Sequence, residues 1–277
     1  MEHAVFVAGV ALHGPAPDPP ESVADRRDPR RPKSGEFAAD MMTRDDCIAC
    51  KALYEKYQLY VYQLIAAQLT RLYGRTGGRV ADIGTGPGHL AVELARLTEG
   101  DVYALDINPA MLELADETVR GTGLEQRISF ALGDVHDIPC ASQSFDLLAS
   151  YTCMHHWAEP AKALAECYRI LRPGGLMAVI DVRPVSALTA AAFAEIIPEE
   201  EYFRIIDKAY KESLDEAVAA DLFAQAGIVP ESVASLELTD EDIMDYLESG
   251  EPLDILEAAV AIDEPTLWMI TARKPLQ

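Results

Sequence analysis

The stretch Val80-Ala81-Asp82-Ile83-Gly84-Thr85-Gly86-Pro87-Gly88-His89-Leu90 constrains this chain more than any other. A short apolar run ends in three glycines within five positions, and the pattern after Gly88 becomes helical. Such glycines mark a tight turn with backbone angles that other residues avoid and with room for a close ligand. A strand that passes through this turn into a helix begins a parallel sheet. The pattern then repeats, with predicted strands at 79–83, 101–105, 127–132, 146–150 and 176–182. Helices are predicted between them at 89–97, 110–120 and 158–171. The strands are apolar throughout, as strands covered on both faces should be. Two more strands are expected at 232–238 and 266–273.

The turn sits where open α/β sheets take their ligands, at the carboxyl ends of strands. The dinucleotide fingerprint Gly-x-Gly-x-x-Gly would need a third glycine at position 89, which is His; the spacing here is Gly-x-Gly-x-Gly. Asp82 lies two residues before Gly84, a poor neighbour for a pyrophosphate and a good one for an ammonium group. Asp106 closes the second strand 22 residues after Gly84, a placement that suits ribose hydroxyls. Asp134 follows the third strand and would accept from an adenine amino group, because an ionised carboxylate only accepts. Ile107 and Val135 would enclose the base.

With these residues in order, the chain resembles the class I S-adenosylmethionine-dependent methyltransferases of the ubiquinone/menaquinone methyltransferase-like group. Further matches are Ala104-Leu105-Asp106-Ile107, Gly133-Asp134-Val135-His136-Asp137-Ile138-Pro139, Ser144-Phe145-Asp146-Leu147 and Leu171-Arg172-Pro173-Gly174-Gly175. The resemblance covers residues 50–185 and the last strand. It implies a Rossmann-like, doubly wound, seven-stranded sheet in the order 3-2-1-4-5-7-6 with strand 7 antiparallel. It implies S-adenosylmethionine as cofactor. Asp82, Gly84, Thr85, Gly86 and Gly88 would hold its methionine part, Asp106 the ribose, and Ile107, Asp134 and Val135 the adenine. Tyr151 would bring backbone near the sulfonium, and Tyr57 or Tyr60 of the preceding helix would close the site.

The segment Tyr151-Thr152-Cys153-Met154-His155-His156-Trp157 follows the fourth strand, at the rim facing a methyl acceptor. An imidazole there would remove a proton from a hydroxyl or amine. His155 is the expected base; His156 directly precedes Trp157 and is expected in the packing. The reaction expected is in-line methyl transfer to a small molecule. The alternatives are another use of the same cofactor (aminocarboxypropyl transfer or cyclisation), arsenic methylation, or cofactor binding without catalysis. The arsenic alternative rests on Cys153, with Cys47 and Cys50 as a lone C-x-x-C that is weak evidence for zinc. No metal site is expected.

Charge narrows the partners. The 277 residues carry 46 acids against 23 bases, a net charge of −23. Such a surface repels phosphate backbones and anionic lipid, so neither nucleic acid nor membrane is an expected partner. The acidity is concentrated in residues 195–264, with 21 acids and 3 bases. The domain reading is a proline-rich, mobile extension at 1–40 and a methyltransferase domain at 41–277. The latter carries a helical cap at 43–73 and acidic helical insertions at 186–227 and 239–265, the last a candidate substrate rim or homo-oligomer contact. Five cysteines do not make a disulfide scaffold, and a cytoplasmic location is expected. The apolar run at 4–12 is too short and lacks the basic flank of a signal peptide.

Overall fold

Strands flanked by helices on both faces must be apolar on both faces, and the computed structural model, which describes residues 42–236 and 264–276, builds its core from such strands. The strands are β1 (Val80–Ile83), β2 (Val102–Asp106), β3 (Ile128–Leu132), β4 (Phe145–Tyr151), β5 (Leu171–Val182), β6 (Ser232–Leu236) and β7 (Leu267–Arg273). They form one sheet in the order β3-β2-β1-β4-β5-β7-β6. The first five are parallel, and β7 runs antiparallel between β5 and β6. The fold is the one the sequence resemblance implied.

The helices are α1 (Arg44–Tyr57), α2 (Leu59–Tyr73), α3 (His89–Leu97), α4 (Pro109–Val119), α5 (Pro160–Ile170), α6 (Ala187–Ile196), α7 (Glu200–Glu212) and α8 (Glu216–Gln225). Successive strand residues point to opposite faces. Leu147 and Ala149 of β4 therefore pack with Leu69 of α2 and Leu90 and Leu94 of α3. Leu148, between them, packs on the other face with Leu164 of α5 and Phe223 of α8. Trp268 of β7 is fully buried, and its indole N–H donates to the Leu214 carbonyl at 2.7 Å, tying the last strand to the α7–α8 connection.

Three expectations shift in detail. The single helical stretch expected at 43–73 is two helices, because Gln58 leaves helical geometry at φ −129°, ψ 1°. The helix expected from 158 starts at Pro160, whose fixed φ and missing N–H suit a first helical position. β5 begins at Leu171 rather than 176, so the Arg172-Pro173-Gly174-Gly175 motif lies inside the element. Residues 186–227 form the expected helices. The extension at 1–40 and nearly all of the 239–265 insertion lie outside the described residues. Among the described residues, no helix is long and apolar enough to cross a membrane.

Candidate active site

β1 delivers its chain into the glycine turn, where the Gly84 and Thr85 N–H groups donate to the Leu105 carbonyl of β2 at 2.8 and 3.0 Å. Two of the glycines are needed for different reasons. At Gly84 (φ +73°) a Cβ would stand 2.1 Å from the Cys153 Sγ, so this position lets the β1 turn touch the loop after β4. At Gly86 (φ +51°) a Cβ would meet nothing within 4 Å, so the turn borders open space there. Gly88 caps α3 and packs on Ala115 of α4.

Two buried carboxylates flank this space. Asp82 is 1% exposed and accepts from the Thr85 hydroxyl at 2.6 Å. Burial pushes its pKa up to about 7; the Thr85 bond opposes that rise, nearby Asp106 adds to it, and the Ala91 N–H in the first turn of α3 opposes it again. Asp106 accepts from the Gly86 N–H and the Asn108 N–H, both at 2.8 Å, and burial raises its pKa as well. Among the described residues, neither acid is paired with a Lys or Arg. Ile107 is half-exposed beside Asp106. Asp134 caps the short 3₁₀ turn Val135–Asp137: its Oδ1 accepts from the His136 N–H at 2.9 Å and lies 2.6 Å from His136 Nδ1. Val135 is buried in the core behind that turn.

The loop after β4 holds the second half of the site. Tyr151 ends the strand, and Tyr62 of α2 packs edge-on against it at 5.2 Å and lies 5.3 Å from the His89 ring. The aromatic contact to the turn thus comes from Tyr62. Tyr60 is half-buried two residues earlier, and Tyr57 points elsewhere, donating to Glu199 at 2.8 Å. Thr152 adopts φ +46°, a conformation rare for a β-branched residue. A 3₁₀ turn, Met154–His156, then carries the two histidines, whose ring centroids lie 3.9 Å apart but whose exposures differ. His155 is the inward one, its side chain 2% exposed, while His156 is 49% exposed. This reverses the expectation that His156 would be the packed one.

His155 Nδ1 lies 2.7 Å from Asp181 Oδ1, and the His155 backbone N–H donates to Asp181 Oδ2 at 2.9 Å. A carboxylate can only accept, so Nδ1 carries the proton and Nε2 presents its lone pair. That Nε2 is buried without a hydrogen-bond partner among the described residues. Asp181 belongs to β5 and was not anticipated. Its one sequence signal is an acid in the otherwise apolar run 176–182.

A cleft of about 200 Å³ opens beside His155. One wall is a stripe of α1 and its end at i, i+4 spacing: Met42, Asp46, Cys50, Tyr54 and Gln58. The other wall is α7 from Arg204 to Tyr210, and the floor is Thr152, the two histidines and Val182 at the carboxyl ends of β4 and β5. The walls are tied by Arg204 to Asp46 at 2.6 Å and by Lys56 to Glu199. Cys47 and Cys50 are buried thiols raised by burial to about 11 and about 12, and burial raises the Cys153 thiol too. All three are protonated at neutral pH, which weakens them as thiolate ligands. Cys153 accepts from the Trp157 indole N–H at 3.3 Å, and Trp157 is itself buried.

Comparison with known proteins agrees with this fold. Residues 81–179 match the family model described as a methyltransferase domain. Methyltransferase GfsG of Streptomyces halstedii is 38% identical over 112 residues, 40% of either chain. A demethylmenaquinone methyltransferase of Lactobacillus johnsonii is 29% identical over 134 residues, 46% of this chain and 55% of that one. The chain thus spans about half the length of these curated relatives. The crystal structure of a SAM-dependent methyltransferase from Aquifex aeolicus superposes with a TM-score of 0.58 at 18% identity, over 84% of this chain and 99% of that one.

Proposed function

Since residues 81–179 match a methyltransferase-domain family model, we propose that this chain transfers a methyl group in line from S-adenosylmethionine to a small-molecule acceptor, with His155 as general base. The residues present fit that cofactor. Gly86 leaves its side of the turn open, and the two buried acids, Asp82 and Asp106, have no Lys or Arg partner and suit an ammonium and a pair of ribose hydroxyls. When bound, the cofactor supplies an electrophilic methyl on a positively charged sulfur.

The chain's own residues would do the rest. Asp82 and the turn hold the methionine part, Asp106 the ribose, and Ile107, Asp134 and Val135 the adenine side. The Gly84–Cys153 contact joins the cofactor turn to the loop that carries His155, so the acceptor cleft opens beside the cofactor's reactive end. His155 Nε2 takes the acceptor's proton as the new bond to methyl forms, and Asp181 holds the imidazole in the accepting tautomer and steadies the imidazolium. The walls of α1 and α7 align the acceptor, which supplies most of the advantage in a displacement of this kind.

The observation that carries the reading is the buried His155–Asp181 pair, whose Nε2 has no hydrogen-bond partner among the described residues, with His155 a lining residue of the cleft. The test is a screen of acceptors with methyl-labelled cofactor, followed by His155→Gln. The substitution should lower the transfer rate by roughly 10²- to 10⁴-fold with cofactor affinity nearly unchanged. Equal rates in the variant would remove His155 as base, and release of methylthioadenosine in place of methylated product would point to a different use of the cofactor.

A further inference from the structure

The cleft contains a second unsatisfied atom. Besides His155 Nε2, the Gln58 side-chain carbonyl Oε1 is buried without a hydrogen-bond partner among the described residues. Gln58 is the residue at which α1 stops and α2 begins, and its backbone is fully used: the N–H donates to the Tyr54 carbonyl at 2.9 Å and the carbonyl accepts from the Tyr62 N–H at 3.3 Å. The junction therefore does not need the side-chain amide. A buried carbonyl without a donor is destabilising, and a site built to bind a polar hydrogen is a common reason for keeping one.

Of the other polar groups around the cleft, Tyr54 contacts Cys50 and Thr152, Tyr210 contacts Thr266, and Asp46 pairs with Arg204; Lys208 and His156 are exposed at its rim, 3.8 and 3.9 Å from Glu212. Among the described residues, the buried lining side chains with an unpartnered polar atom are Gln58, through Oε1 at the α1–α2 junction, and His155, through Nε2 at the floor. We infer that the acceptor is a polyhydroxy compound that places two polar hydrogens in this cleft: the hydroxyl that is methylated, facing His155, and a second hydroxyl, accepted by Gln58. The inference rests on the methyltransferase reading above. In the balanced step the first O–H bond breaks, its proton goes to His155, the oxygen takes the methyl, and the demethylated cofactor leaves; the second hydroxyl keeps its hydrogen. A site built to accept such a hydrogen discriminates strongly against an analogue that lacks it.

The experiment uses the full chain, cofactor carrying a ¹³C methyl group, and a low-molecular-mass extract of the producing cells as acceptor pool. Labelled product is then counted for exchangeable hydrogens by mass spectrometry in D₂O. The expected result is label on oxygen in a product that keeps at least one exchangeable hydrogen. Gln58→Leu should then raise the acceptor KM at least tenfold with a much smaller change in kcat and in cofactor Kd, and Gln58→Glu, which still accepts, should restore most of the loss. Label on carbon or sulfur, a product with no exchangeable hydrogen, an unchanged KM in Gln58→Leu, or a loss of cofactor affinity instead would each overturn the inference while leaving methyl transfer in place. If no label is transferred to any compound, both the inference and the reading beneath it fall.

Discussion

Asp82→Asn should make the ligand-free protein more stable at neutral pH and a worse cofactor binder. In the folded protein burial disfavours the charge of Asp82 and pushes its pKa from the usual carboxylate range up to about 7. An acid whose folded pKa is raised binds more protons folded than unfolded between those two values. Its contribution to stability therefore falls as pH rises from about 4 to about 7, and stays low above that. A gap of about three units is worth about 4 kcal/mol. The amide replaces the carboxylate without losing both of its partners, since its oxygen can accept from the Ala91 N–H and its N–H₂ can donate to the Thr85 hydroxyl. A net gain of about 3 kcal/mol at pH 8 would raise Tm by roughly 6–12 °C for a domain of this size. The assay is thermal unfolding of both proteins without ligand from pH 5 to 8.5. The variant's advantage should grow up to about pH 7 and then level off. In parallel, calorimetry should show S-adenosylmethionine affinity reduced roughly tenfold or more, as expected for losing a charge-assisted bond. A variant whose advantage is independent of pH, or which binds the cofactor as well as the wild type, would refute the assignment of Asp82 as the carboxylate held ready for an ammonium group.

Two further substitutions test the turn and the second acid. Gly86→Ala should bind cofactor poorly while unfolding within about 2 kcal/mol of wild type, since its Cβ meets only backbone strain; Gly84→Ala should instead destabilise the protein measurably in urea, because its Cβ runs into Cys153. Asp106→Ala should lower cofactor affinity roughly ten- to hundredfold and also cost about 1–3 kcal/mol of stability, because the Gly86 and Asn108 N–H groups lose their acceptor; an unchanged calorimetric isotherm would remove Asp106 from the site.

The parts of this molecule that sequence exposes are those governed by local rules. The glycine turn, the acids at the ends of β1 and β2, and the apolar strands follow from neighbouring residues. The strand order did not; it came from resemblance, since nothing local dictates that β7 enters between β5 and β6. Asp181 was hidden because its role depends on β5 lying beside β4, which brings residue 181 to residue 155 across the sheet. The α1–α2 break was hidden because Gln58 is neither glycine nor proline, so no local signal marked it. Which of the two histidines is buried depended on a three-residue 3₁₀ turn and on Asp181, a partner that sequence does not place beside it.

The insertion of β7 sets the order in which this site is completed during synthesis. Asp181 lies on β5 directly opposite Trp268, with β7 as the neighbour on that side. Until residues 267–273 have emerged, β5 is an open edge, β6 has no strand to join, and the carboxylate that orients His155 borders solvent on one flank. The chain between the end of β6 and the end of β7 takes roughly 2–7 seconds to make at ordinary rates of about 5–20 residues per second. For that interval the ribosome carries a sheet whose cofactor half, β1 to β3 with the glycine turn, is complete and whose catalytic half is not.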